Sequence, residues 1–239
     1  MAKVVFFLFI FTFLRAEIIQ TNRMEDVLPF VDENTWVLFD IDDTLVESKL
    51  QVGRAKWFFY EVKKLVDERH NLESAILELC PEWIRVQEVC PIRPPELQIP
   101  NIVCEIQESA GAVLGVTARH PPISAATLKQ LAYIGINFTF IAPECPKLEV
   151  KPPIHWEEGV LFLTDFNRKG EIFREWLEYS HFHPKKIILI DDSKENLIQM
   201  EEEMAKLGMP FTGFHYTKTF MHPFDPEVAE GEHLDLFIE

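Results

Sequence analysis

The feature that most restricts what this chain can fold into is a short apolar run, Trp36-Val37-Leu38-Phe39, that stops at an acidic cluster, Asp40-Ile41-Asp42-Asp43. An uninterrupted apolar stretch of this length predicts a strand covered on both faces, the habit of parallel sheets. Polar groups just past its end predict a site at the carboxyl edge of such a sheet. Similar runs recur at Ala112 to Val116, Phe138 to Ile141, Val160 to Leu163 and Ile187 to Ile190. Helical patterns lie between them at Ser124 to Leu131, Glu171 to Tyr179 and Asn196 to Leu207. Strands alternating with helices give the expected class: α/β, a doubly wound parallel sheet. A short helix is expected from Thr21 to Val31, and Phe214, Tyr216 and Phe220 predict one last strand.

One stretch interrupts the alternation. From Gln51 to Leu79 the pattern is amphipathic, with Trp57, Phe58, Val62, Leu65 and Val66 near helical spacing, and Pro81, Pro91, Pro94, Pro95 and Pro100 then break up any longer element. A second proline-rich segment, Ala142 to Pro153, predicts a loop or hairpin. The amino terminus also differs from the rest of the chain. Lys3 precedes an apolar run from Val4 to Leu14, and Ala16 offers a small residue for cleavage, so residues 1–16 are expected to be a signal peptide of an exported, periplasmic or secreted protein. The run is about half the ~20 residues a membrane-spanning helix needs, so no stable span is expected once it is removed. Export would permit disulfides among Cys80, Cys90, Cys104 and Cys145; the local pair Cys80–Cys90 is the first to test.

With 239 residues, 47% of them hydrophobic, the chain can bury one α/β core and a small appendage. Acidic residues outnumber basic ones 39 to 23, and no run of lysines or arginines is long enough to track a phosphate backbone, so nucleic acid is not expected as a partner. The 8 histidines show no metal-ligand spacing, and the cysteine spacings fit neither a zinc nor a redox site.

Chemistry concentrates at four strand or helix ends. The first is Asp40-Ile41-Asp42-Asp43-Thr44, where carboxylates so close together require a compensating cation, and a hard oxygen-seeking ion such as magnesium suits them. The others are Val116-Thr117-Ala118-Arg119, Arg168-Lys169-Gly170 and Ile190-Asp191-Asp192-Ser193. In this order the four segments resemble the haloacid dehalogenase superfamily of aspartyl phosphatases and phosphotransferases. Its motifs are Asp-x-Asp-x-Thr, a Ser or Thr ending the second strand, a Lys opening a later helix, and a closing acidic pair. The resemblance covers Trp36 to Asn196.

That resemblance implies a Rossmann-like core (17–46 and 101–239) with a small helical cap (47–100) inserted after the first strand, and a magnesium-dependent phosphohydrolase acting on a small phosphorylated substrate. It implies Asp40 as nucleophile, Asp42 as general acid and base, and Thr117 and Lys169 as catalytic groups that also bind the phosphoryl oxygens. Magnesium would be held by Asp40, by Asp42 through its main-chain carbonyl, and by Asp192. Asp191 would orient this shell, and Asn196, where many family members have an aspartate, would be a metal-shell or capping residue rather than a direct ligand. Arg119 could grip the substrate phosphate, the role given to it here, or merely pair with surface carboxylates. Aspartate at position 42 favours phosphoester chemistry over dehalogenation. A receiver domain shares the ingredients but has its acidic pair first, whereas here the pair comes last. A binding protein or effector that keeps the fold without turnover is the remaining alternative, as is a phosphotransferase.

Overall fold

The computed structural model describes residues 17–68, 71–145, 154–164 and 168–237. The expected leader at 1–16, most of the 142–153 loop, and Asn167 lie outside them. The fold is α/β. Strand β1 (Glu17–Thr21) is followed by a short 3-10 helix (Met24–Phe30), the central strand β2 (Thr35–Phe39), and an insert bounded by β3 (Glu47–Ser48) and β4 (Ile92–Arg93) that contains α1 (Ala55–Glu68) and α2 (Leu72–Val89). After it come α3 (Ile99–Ser109), β5 (Ala112–Thr117), α4 (Ser124–Tyr133), β6 (His155–Glu157) and β7 (Val160–Phe162). The chain finishes with α5 (Lys169–Ser180), β8 (Lys186–Asp191), α6 (Lys194–Lys206), β9 (Phe211–Tyr216) and α7 (Pro226–Leu236).

The main sheet has the order β1-β9-β8-β2-β5-β7-β6 and is parallel except for β6, which pairs antiparallel with β7. Continuous apolar strands split between two cores by the two-residue period of the pleat. Val37, Phe39, Val113, Ile188 and Ile190 face the layer of α3 and the 3-10 helix, while Leu38, Leu114, Val116, Ile187 and Leu189 face α5 and α6. From β2 the chain builds outward on one side through β5 and β7, then returns to place β8 on the other side of β2. That reversal opens a crevice at the carboxyl ends of the central strands, where ligands bind in sheets of this kind.

The strand expected at Phe138 to Ile141 is a turn. Only Phe138 is buried, stacked on Phe39 and pressed under Gly115, whereas Phe140 is 77% exposed; an inner parallel strand would bury both. β7 occupies the place beside β5 instead, its hairpin to β6 turning through Glu158 and Gly159, both with positive φ. A side chain at Gly159 would lie 2.5 Å from the Phe138 Cβ, so the turn needs glycine for space as well as for backbone angle.

Prolines proved less disruptive than expected. α2 runs through Pro81, because the carbonyl a proline cannot serve belongs to Leu77, on the solvent side at 62% exposed. Pro100 sits in the first turn of α3, where its missing N–H costs nothing. Phe220 lies in a 3-10 turn past β9 rather than in the strand.

The insert is a helical pair closed at its base by the β3–β4 ladder. Its core of Trp57, Phe58, Val62, Leu79, Trp83 and Val86 extends to Ile123 and Ala126 on the main body. It also takes in Ala229, Phe224, Leu236 and Phe237 around α7. The carboxylate of Glu232 accepts from the Gln51 and Val52 amides, and His233 pairs with Glu82 at 2.7 Å. The helical layer therefore combines residues 47–98 with a helix from the chain's end, which the expected division at residue 100 had left in the core. Cys80, midway along α2, and Cys90, the residue just past its end, stand about 15 Å apart at ~1.5 Å of rise per residue, beyond disulfide reach. All four cysteines are free thiols. No helix among the described residues is long and apolar enough to cross a membrane.

Candidate active site

Strand register brings the sequence motifs to one edge. Phe39 pairs with Gly115 on one side and Ile190 on the other, so Asp40 stands level with Val116 and Asp191, and Thr117 one step beyond. The Asp40 amide donates to the Ile190 carbonyl at 2.9 Å, extending the ladder by one bond before the chain turns away. The turn is tight: Asp43 takes a left-handed φ of 57°, and its amide donates to the Val46 carbonyl at 2.8 Å.

Lys169, first residue of α5, reaches in from below and is 1% exposed. Its ammonium donates to Asp40 Oδ1 and to Asp191 Oδ2, both at 2.6 Å. α5 can come so close to the site because its next residue is glycine: a Cβ on Gly170 would lie 2.5 Å from the Gln199 carbonyl oxygen on α6. Asp191 is fully buried and saturated, accepting also from the Ser193 amide at 2.8 Å and from the Asn196 side chain at 3.1 Å. Asp191 thus shares Lys169 with Asp40 and is bonded in turn by Asn196.

Carboxylate oxygens of Asp40, Asp191 and Asp192 all lie within 4.8 Å of one another. Burial pushes the Asp40 carboxyl up to about 7; Lys169 pulls it down, while Asp191 and Asp42 add to the rise. Burial first, and then the charges of Asp191, Asp40 and Asp43, hold Asp192 well above the usual carboxylate range. Burial by itself would lower the Lys169 ammonium, but Asp191 and Asp40 together raise it. Asp43 is pushed up to about 6 by burial and by Asp42. Three carboxylates stand against one ammonium; with Asp191 saturated by its own partners, the oxygens of Asp40 and Asp192 are the ones that could serve a hard divalent cation such as magnesium.

Asp42 stands outside that group of three carboxylates but close enough for its charge to act on Asp40. Its carboxylate is gripped by Arg119 through both oxygens, Nε to Oδ2 at 2.8 Å and Nη2 to Oδ1 at 2.7 Å. Arg119 is 3% exposed, and its remaining donors go to Thr127, Gln130 and Gln87. All five guanidinium N–H groups are thus held by protein, so Arg119 meets neither expectation: its donors are engaged by buried partners and by Asp42 rather than by surface carboxylates or left free for a phosphate. Thr117 is buried, and its hydroxyl oxygen accepts from the Arg119 amide at 3.2 Å.

Gln87, Thr127 and Gln130 escaped the sequence reading. The available signal was a polar side chain on a buried stripe: Gln87 shares one with Leu79, Trp83 and Val86, and Gln130 with Ala126, Thr127 and Leu131. A cavity of about 490 Å³ lies between α2 and α4, lined in part by Gln87, Cys90, Ile92, Ala126, Lys129 and Gln130. It includes none of the clustered carboxylates and sits behind the Arg119 partners rather than over Asp40.

A family model described as a protein of unknown function, DUF2608, matches residues 20–234, nearly the whole described chain. The chain belongs to the DUF2608 family. Relatives include a Chlamydia trachomatis protein named "Putative outer membrane protein", 28% identical over 211 residues, covering 87% of this chain and 79% of the relative. A Chlamydia pneumoniae protein of similar name is 27% identical, with the same shares covered. An uncharacterised protein of Rickettsia prowazekii is 23% identical over 226 residues, again 87% and 79% of the two chains. No solved structure matches. The family match spans the motif-bearing strand ends, the insert and α7 together.

Proposed function

We infer that this DUF2608 chain is a magnesium-dependent phosphohydrolase with a haloacid dehalogenase-like core, cleaving a phosphomonoester through an aspartyl-phosphate. The observation that carries the reading is the meeting of Asp40, Lys169, Asp191 and Asp192 from three separate stretches of chain at one strand edge, with one ammonium bonded to two of the carboxylates.

In the first step an Asp40 carboxylate oxygen attacks phosphorus in line, forming the O–P bond as the bond to the leaving oxygen breaks. Lys169 fixes the direction of the Asp40 carboxylate through Oδ1, leaving Oδ2 for the attack. A proton passes from the Asp42 carboxyl to the leaving oxygen. In the second step Asp42 takes a proton from water, the water oxygen bonds to phosphorus, and the bond to Asp40 breaks, which returns both aspartates to their starting forms. The Thr117 hydroxyl and the Lys169 ammonium would donate to phosphoryl oxygens. Magnesium, held by Asp40, Asp192 and the Asp42 carbonyl, would neutralise charge on the phosphoryl group.

Export is part of the proposal. It is supported by the names of the chlamydial relatives and by the apolar run from Val4 to Leu14.

The test is phosphate release from an aryl phosphate by protein spanning residues 17–239 with magnesium, beside Asp40→Asn. Removing the nucleophile should lower turnover by on the order of 10³-fold or more, with the fold intact. No release by the parent protein, or full activity in Asp40→Asn, would sink the reading.

A further inference from the structure

The contacts around Arg119 tie the insert to the group that moves the proton. Gln87 lies on α2, in the insert, and is 3% exposed. Its side-chain oxygen accepts from Arg119 Nη2 at 3.2 Å and from Gln130 Nε2 at 2.9 Å, and its side-chain nitrogen donates to the Gly53 carbonyl at 2.8 Å. The Gln130 nitrogen also donates to the Gln87 main-chain carbonyl at 2.9 Å, and the Gln130 oxygen accepts from Arg119 Nη1 at 2.9 Å. The amide orientation of Gln87 is thus determined on three sides, since a flipped amide would set donors against donors. Arg119 in turn holds both oxygens of Asp42.

We propose that Gln87 is a positioning residue for Asp42, acting through Arg119, so that the proton-transfer carboxylate is held in its working orientation only while the insert is seated on α4. The catalytic part of this inference rests on the phosphohydrolase reading; the positional part does not. The physical basis is completeness. An arginine with all five donors engaged has one orientation, and withdrawal of α2 removes the acceptor on Nη2, the same nitrogen that bonds Asp42 Oδ1. A buried donor left without a partner is unfavourable enough to make the guanidinium turn toward another acceptor or toward water. Seating the insert and orienting Asp42 are therefore one event.

Gln87→Met keeps length and burial but removes the acceptor and the donor; Gln87→Glu keeps the acceptor. In the parent background with magnesium and an aryl phosphate, Gln87→Met should lower kcat by about 10–100-fold, the usual effect of losing a supporting hydrogen bond, with KM changed by less than about 3-fold. The acid-base limb of its pH profile should shift, and Gln87→Glu, which keeps the acceptor but sets an oxygen against the Gly53 carbonyl, should recover part of the loss. A purely structural role would lower the melting temperature without moving the pH profile. If the parent turns over and Gln87→Met keeps its kcat and pH profile, the inference fails and the phosphohydrolase reading stands. If the parent does not turn over, that reading fails. A crystal structure of Gln87→Met then decides the positional claim: Arg119 displaced from Asp42 supports it, and an unchanged bidentate pair overturns it.

Discussion

Replacing Lys169 with methionine removes the ammonium that, among the described residues, is bonded to both Asp40 and Asp191, at 2.6 Å from each, and leaves three carboxylates with oxygens within 4.8 Å of one another. Taking one partner out of a buried pair typically destabilises by about 3–5 kcal/mol, because the charge left behind has neither water nor counter-ion. For a chain of this size each kcal/mol lowers Tm by roughly 2–4 °C, so the expected fall is roughly 6–20 °C. The pH dependence has a definite sign. Lys169 lowers the Asp40 carboxyl, so its loss raises that group further above about 7. The folded variant then holds a proton that an unfolded aspartate, at about 3.9, has released. Its stability therefore falls as pH rises from about 4 through the raised folded value, and the deficit relative to the parent is larger near pH 8 than near pH 5. Thermal unfolding by circular dichroism, in chelator at both pH values, measures it. Adding Asp191→Asn should return part of the loss by removing one of the stranded charges. A Tm within about 2 °C of the parent near pH 8 would refute the buried-pair reasoning.

The remaining expectations concern the same edge and its surroundings. Excess magnesium should raise Tm more near pH 8 than near pH 5, since Asp40 and Asp192 must be ionised to bind it; equal shifts at the two pH values would contradict the cation site. Gly170→Ala forces a Cβ to within 2.5 Å of α6 backbone and should destabilise by about 1–3 kcal/mol in urea unfolding while moving Lys169 off Asp40; wild-type stability would show that the α5–α6 contact is looser than it stands. Thiol titration of denatured, unreduced protein should count four free cysteines, and reductant should leave Tm unchanged. A count of two would mean that a disulfide forms elsewhere than Cys80–Cys90, whose helical spacing forbids it.

Some of this was legible residue by residue. The apolar runs at 36–39, 112–116, 160–163 and 187–190 predicted four of the sheet's strands, because burial on both faces leaves a local signature that needs no knowledge of neighbours. Asp40, Thr117 and Asp191-Asp192 at strand ends, and Lys169 at a helix start, could be marked from position and chemical type. The 138–141 run misled because its two phenylalanines have the same composition as a strand's but opposite environments, which only packing against Gly115 and Phe39 distinguishes.

Linear order, then, determined where charge and hydrogen-bonding groups meet the ends of apolar segments, since both are properties of a few adjacent residues. Tertiary structure alone decided that Arg119 would close on Asp42, 77 residues earlier, that Gln87 of the insert would complete the set, and that α7 would cross back onto α1 and α2. Such contacts depend on which surfaces bury each other. A buried glutamine and an exposed one read alike in sequence, and only the packed neighbours determine which of them finds a guanidinium to hold.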